Sequence, residues 1–237
     1  MSKNKHMLAN SSALVGADRP TAGPVSLAQG VYGARGNLEL LACDADDGLW
    51  VFWFNADLDS DPLETPDVPP GSWSAGLHFA AGHRYVDALI VQSTLGPDHL
   101  EVLALDADGV LQSWYWSPGP GFQRRETDAA THVVRFAAVH AVGVLRLTVE
   151  GAEGDAHHLV STAAGYPERS WAPTATGAPL ADEASARALI EAAGAASVGI
   201  APGTARTAAS TRDGGTTELT WRDDAGRIRH LGVPTRA

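Results

Sequence analysis

Leu38-Glu39-Leu40-Leu41-Ala42-Cys43-Asp44-Ala45-Asp46-Asp47 and Leu100-Glu101-Val102-Leu103-Ala104-Leu105-Asp106-Ala107-Asp108-Gly109 are two copies of one phrase. In each, apolar residues run into a cluster of Asp and Gly. That is the pattern of a strand entering a tight hairpin, because Asp and Gly supply the dihedrals such turns require. A third copy reads Val144-Leu145-Arg146-Leu147 followed by Glu150 to Gly154. A fourth reads Thr217-Glu218-Leu219 followed by Asp223-Asp224-Ala225-Gly226. Self-similarity at a spacing of this order marks a repeat architecture.

Working outward, a second strand is expected after each turn, at Leu49 to Phe54, Leu111 to Trp116, His157 to Thr162 and Ile228 to Val233. Another is expected before each copy, at Leu27 to Gly33, Ala88 to Ser93, Phe136 to Ala141 and Ser197 to Ala201. Outer strands fit around Trp73, Phe122 and Trp171. The last copy has no room for its own, and the segment Ser12 to Gly16 is expected to supply it by bringing the two termini together. Four-stranded units of this length predict an all-β fold, a small β-propeller of about four blades, with five blades as the alternative. Asp182 to Gly194, with apolar residues at helical spacing, predicts one short helix in a crossover, a packing insertion rather than a lid. The domain is expected to occupy 13–237, behind a flexible segment at 1–12.

Leu38 to Ala42 leads through Asp47-Gly48-Leu49-Trp50 to Trp53 and then Gly71-Ser72-Trp73-Ser74. This resembles the repeat of the Trp-rich bacterial β-propeller lectins of the fucose-binding type, and more distantly the tachylectins. The second copy keeps Leu100 to Ala104, Asp108 to Leu111 and Trp114, whereas the third and fourth carry His157-His158-Leu159 and Arg229-His230-Leu231 in place of the Trp strand. The resemblance implies a carbohydrate-binding module with sugars between neighbouring blades, stacked on indole faces by their C–H surfaces. The residues it points to are Trp50, Trp53, Trp114 and Trp116, with Trp73 and Trp171 as secondary candidates. Loss of the Trp strand from two copies implies one or two sites rather than one per blade.

The rest of the sequence narrows the function classes. The 237 residues carry 17 basic and 28 acidic side chains, a formal charge of -11, which opposes nucleic acid and anionic membrane as partners. The expected partner is a glycan or other small molecule, and homo-oligomerisation is left open. No apolar run reaches the roughly 20 residues of a membrane span and no signal-type core follows the start. The expected location is therefore cytoplasmic, or outside the cell by a route other than a classical signal peptide. One cysteine, Cys43, leaves no internal disulfide and reads as a buried strand thiol. Asp57, Asp59 and Asp61, with Glu64 and Asp67, form a solvated acidic loop lacking the Gly and closing Glu of a calcium loop. No cofactor or metal is expected. The alternative is a small biosynthetic enzyme, a lyase or cyclase of a specialised metabolite, with its pocket at the propeller axis. Aligning Val31, Val91, Val139 and Ile200 brings the residues that follow them to one level, which nominates His140 as acid or base, Tyr32 as donor and Gln92 as an orienting group.

Overall fold

The computed structural model describes residues 12–31, 35–56, 68–92, 99–141 and 143–235. The acidic loop 57–67, Tyr32 and the tail 1–11 lie outside the described residues.

The described chain is mostly β. It opens with β1 (Ala13–Val15). Sheet 1 then follows as β2 (Thr21–Gln29), β3 (Leu38–Asp44), β4 (Leu49–Phe54) and β5 (Leu77–Phe79). Sheet 2 is β6 (Tyr85–Gln92), β7 (Leu100–Asp106), β8 (Leu111–Ser117) and β9 (Gly121–Arg124). Sheet 3 is β10 (Arg135–Ala141), β11 (Val144–Glu150), β12 (Ala156–Thr162) and β13 (Ala172–Pro173). One helix, α1 (Glu183–Ala192), precedes sheet 4, which comprises β14 (Arg206–Ser210), β15 (Thr216–Arg222), β16 (Ile228–Pro234) and, on its outer edge, β1. Ala13, Leu14 and Val15 pair antiparallel with His230, Arg229 and Ile228, so the expected joining of the two ends is present. The inner strands of all four sheets, β2, β6, β10 and β14, line one central cavity of about 1140 Å³, a propeller-like arrangement.

The Asp-rich turns work as their composition suggests. Asp44 Oδ1 accepts from the backbone N–H groups of Asp46 and Asp47 at 2.8 and 3.0 Å. Asp106 Oδ1 does the same for Asp108 and Val110, and Asp223 Oδ1 for Ala225 and Arg227. Each is a side chain imitating a turn in the backbone. The third copy has Gly151 in this place and closes with a backbone bond from its N–H to Asp155 O.

Apolar side chains from facing sheets form the core. Leu41 and Val51 of sheet 1 meet Ile90 and Val102 of sheet 2. Leu103 and Leu111 of sheet 2 meet Phe136 and Leu147 of sheet 3. Leu38, Leu40 and Phe52 of sheet 1 meet Val15 and Ile228 of sheet 4. The fourth cluster differs, because Leu219, Trp221 and Leu231 of sheet 4 pack on Ala186 and Ile190 of α1. The helix is thus a packing element, N-capped by Asp182, whose side chain accepts from Ser185 N. Cys43 is buried as expected, and burial pushes its thiol up to about 12.

The fourth inner strand is not where the sequence suggested. Ala196–Val198 is a short 3-10 turn, and the strand lies at Arg206–Ser210. Gly199 adopts φ +79° and Pro202 has no N–H to give a ladder, so the chain cannot run extended through the expected segment. The first inner strand also starts earlier than expected, at Thr21, and ends at Gln29. It bulges between Ala22 and Val25, where Gly23 at φ +69° passes so close to the carbonyl of Val86 that a Cβ would lie 2.9 Å from its oxygen.

Ile190 is fully buried and Leu189, its neighbour on α1, is 46 % exposed. Ile190→Ala is expected to lose about 2–5 kcal/mol in urea unfolding. Leu189→Ala should stay within about 0.5 kcal/mol. Equal small effects would show that the helix does not support sheet 4.

Candidate functional site

Each sheet's second strand is sandwiched between neighbours, and all seven residues of β3 are buried. Three such strands nevertheless carry a buried glutamate at the same repeat position: Glu39, Glu101 and Glu218. The third copy has Arg146 there, donating to Thr176. Strand alternation turns Glu39 toward sheet 2, with Leu41 and Cys43; Glu101 toward sheet 3, with Leu103 and Leu105; and Glu218 toward sheet 1. The three acids meet different surroundings.

Glu101 is held by two arginines. Arg125, with no exposed side-chain surface, donates Nη1 to Oε2 at 2.6 Å and Nη2 to Oε1 at 3.1 Å, and Arg169 Nη2 reaches Oε1 at 2.5 Å. Glu218 accepts from Ser210 Oγ (2.6 Å), Arg212 Nε and Nη2 (2.9 and 3.0 Å) and the His230 ring (2.8 Å). Burial works to raise the Glu218 carboxyl, but these hydrogen bonds override it and hold it at about 2. Protein donors reach both oxygens of each carboxylate, three on Glu101 and four on Glu218.

Glu39 has no hydrogen bond or ion pair among the described residues, and burial pushes its carboxyl up to about 8. Its cross-strand partner on β4 is Trp53, which shares its face of the sheet. Trp53 is half-buried, belongs to none of the apolar clusters, and makes no ring contact or indole hydrogen bond among the described residues. From sheet 2, Trp116 packs half-buried against the same interface, opposite Leu100 in the ladder. Gln92, at the end of β6, comes close to Gly30, whose own Cβ position lies 3.5 Å from Gln92 Oε1 and 3.6 Å from Glu39 Cγ. Gln92 Nε2 donates to the carbonyl of His99 at 2.6 Å.

The other tryptophans named from the sequence are spread over several interfaces. Trp50 donates Nε1 to Asp44, carries Arg19 over its ring at 4.7 Å and leans on His78. Trp114 is 8 % exposed, packs edge-on against Phe79 and donates to Gln112, so it belongs to the core between sheets 1 and 2. Trp73 lies between sheets 4 and 1, edge-on to His230 and beside Phe54, and Trp171 packs on the cluster between sheets 2 and 3. The indole N–H groups of both are buried without a partner among the described residues. Trp221, which the sequence reading did not single out, is fully buried and donates to Gly199 O.

Gln92 and His140 both line the central cavity. Burial, with Arg169 adding to it and Glu101 opposing, lowers the His140 imidazole below its usual range. The alignment that joined them to Tyr32 needs correction. Gln29 pairs with Leu38, Gln92 with Leu100 and His140 with Leu145, so the residue of sheet 1 at this level is Gln29, and in sheet 4 it is Ala209, paired with Thr217. The error came from placing strands by a β-branched residue before a small one, a pattern that at Val31 falls beyond the end of β2. Gln29 binds the Thr211 N–H at 2.7 Å and so ties sheet 1 to sheet 4. No group of three or more metal-ligating side chains occurs among the described residues, and no described helix is long and apolar enough to cross a membrane.

No family model matches the sequence, and no curated protein matches it. Solved structures similar to it include the BP39L lectin from Burkholderia pseudomallei, 16% identical with a TM-score of 0.44, over 90% of this chain and 52% of that one. The SapL1 lectin in complex with alpha methyl fucoside is 13% identical with a TM-score of 0.45, over 92% and 62%. A mutant Aleuria aurantia lectin in complex with alpha-methyl-L-fucoside is 12% identical with a TM-score of 0.43, over 89% and 57%. This chain therefore spans between half and two thirds of the length of these lectins.

The acids predict opposite responses. The folded protein holds a proton on Glu39 up to about pH 8, whereas the unfolded chain releases it near 4.5, so between these values stability falls as pH rises. Glu39→Gln should therefore melt several degrees above the wild type at pH 8 and match it near pH 4, by calorimetry. Arg125→Ala, which leaves buried Glu101 with Arg169 alone, should lose on the order of 3–5 kcal/mol at pH 7 in urea unfolding.

Proposed function

We propose that this chain is a carbohydrate-binding module, a four-bladed propeller whose sheets are its blades, with its principal glycan site between sheets 1 and 2 at Glu39, Trp53, Trp116 and Gln92. The observation that carries the reading is the contrast among the three repeat glutamates. Two are saturated by arginine, serine or histidine from the chain itself. Glu39 is buried with no hydrogen bond or ion pair among the described residues, beside an indole that makes no ring contact or indole hydrogen bond among them. A buried acid without hydrogen bonds costs folding free energy and persists where a ligand completes it. A neutral carboxyl both donates and accepts, an amide does the same, and two indoles offer flat apolar faces. Those are the groups a pyranose needs, with its hydroxyls on one side and its C–H surface on the other.

The resemblance of the first two repeats to fucose-binding lectins, and the fucosides in the solved structures similar to this chain, select methyl α-L-fucoside as the first probe. It heads a panel of monosaccharides titrated against tryptophan fluorescence and checked by calorimetry. Saturable binding is expected in the micromolar to millimolar range. Trp53→Ala should weaken it about tenfold or more, equivalent to about 1.4 kcal/mol. Glu39→Gln, which keeps a donor and an acceptor, should weaken it less than Glu39→Ala. The proposal fails if no sugar of the panel binds at millimolar concentration, or if Trp53→Ala binds as the wild type does.

A further inference from the structure

The central cavity meets the sheet 1 and 2 interface at Gln92, and its charged lining is unevenly satisfied. Most of the ionisable groups that line it are engaged by the protein. Arg135 pairs with Glu150, Asp182 caps α1 through Ser185, and Glu183 accepts from Gly203 N and Arg187. Asp87 on β6 and Arg206 on β14 are different. Both line the cavity, from sheets 2 and 4, and they attract one another electrostatically, yet they form no ion pair among the described residues.

Each is held in place by backbone. Arg206 Nη1 donates to the carbonyls of Gly203 and Ala205 at 3.1 and 3.0 Å, while Nε and Nη2 have no partner among the described residues. Asp87 Oδ1 accepts from Ala88 N at 2.9 Å and Oδ2 is unoccupied by any donor among the described residues. The ladder of β6 is irregular between Tyr85 and Asp87, a bulge of the kind that re-aims a side chain. Burial pushes the Asp87 carboxyl up to about 6 against the pull of Arg206, so the acid lacks the close cation that would relieve it. The lining also has an aliphatic wall with open surface, to which Val91, Val139 and Leu180 contribute. The volume of about 1140 Å³ exceeds what a single small metabolite fills and is at the upper end of small-molecule sites.

We propose that this cavity binds a zwitterion with an apolar body, of amino-acid or short-peptide size, its carboxylate on the free edge of the Arg206 guanidinium and its ammonium on Asp87. The two opposite charges line the same cavity from sheets 2 and 4 without coming within ion-pair distance of one another among the described residues. A molecule carrying the opposite charges in the matching order pairs with both, and its side chain lies on the aliphatic wall. A guanidinium edge presenting two N–H groups is the geometry that a carboxylate takes in a bidentate bond.

The full chain is tested by thermal shift and calorimetry with L-leucine and leucyl-leucine, and with isovalerate and isoamylamine, which keep the apolar body but one charge each. At least one of the two zwitterions should raise the melting temperature at millimolar concentration, and both single-charge compounds should bind at least tenfold more weakly. Asp87→Asn and Arg206→Gln should each remove the response. The proposal is overturned if neither zwitterion binds, if isovalerate or isoamylamine binds as well as the better zwitterion, or if both variants respond like the wild type. The comparison of the four compounds uses the wild-type protein alone, so it decides the matter even where a variant does not fold.

Discussion

The second strand of every sheet lies between neighbouring elements and is largely closed to water, completely so in β3. This constraint shapes most of what is distinctive in the molecule. It selects the apolar runs of β3 and β7 and requires any polar side chain there to be satisfied from inside. A carboxylate in such a strand must be paired, hydrogen-bonded or protonated, because desolvation of an uncompensated charge costs several kcal/mol. Glu101 takes the first solution, through Arg125 and Arg169, and Glu218 combines the first two, through Arg212, Ser210 and His230. Glu39 takes the third. One repeat position thus yields two internal struts and one polar group with unspent hydrogen-bonding capacity.

The hairpins were legible in the sequence because their chemistry is local. Asp44, Asp106 and Asp223 fold their turns with their own side chains, and the alternation on either side follows. The fourth inner strand was not legible, since Arg206-Thr207-Ala208-Ala209-Ser210 is weak in strand-forming residues and is held by pairing with β15. Val198 and Ile200, stronger by propensity, are interrupted by Gly199. At the site, Trp53 and Trp116 were legible as tryptophans of a repeat, but their separation from the packed Trp50 and Trp114 depends on which interface each face meets. Glu39 could not be singled out from Glu101 and Glu218 at all. The arginines that distinguish them, Arg125 and Arg169, follow β9 and β12 and lie outside the repeated phrase.

The four interfaces are unequal in kind. Three are made by direct contact of sheet on sheet, and at the fourth sheet 4 packs against α1. The helix follows the third sheet and buries Ala186 and Ile190, so it finishes the core of sheet 4 and leaves Leu189 at the surface. The inner strands bordering this join are the more exposed ones, with Val139, Thr207 and Ala209 all open.

The pairing of β1 with β16 gives the last sheet an outer edge drawn from the other end of the chain. Closing so long a loop costs only modestly more entropy than closing a short one, because the penalty grows with the logarithm of length. Timing is affected more strongly. During synthesis Ala13–Val15 emerges long before Ile228–His230, so the donor strand waits unpaired while the first three sheets assemble. Over that interval its three residues can pair with the β16 edge of any other copy that presents one. Strand exchange between newly made chains thus competes with closure by the simplest route the topology allows.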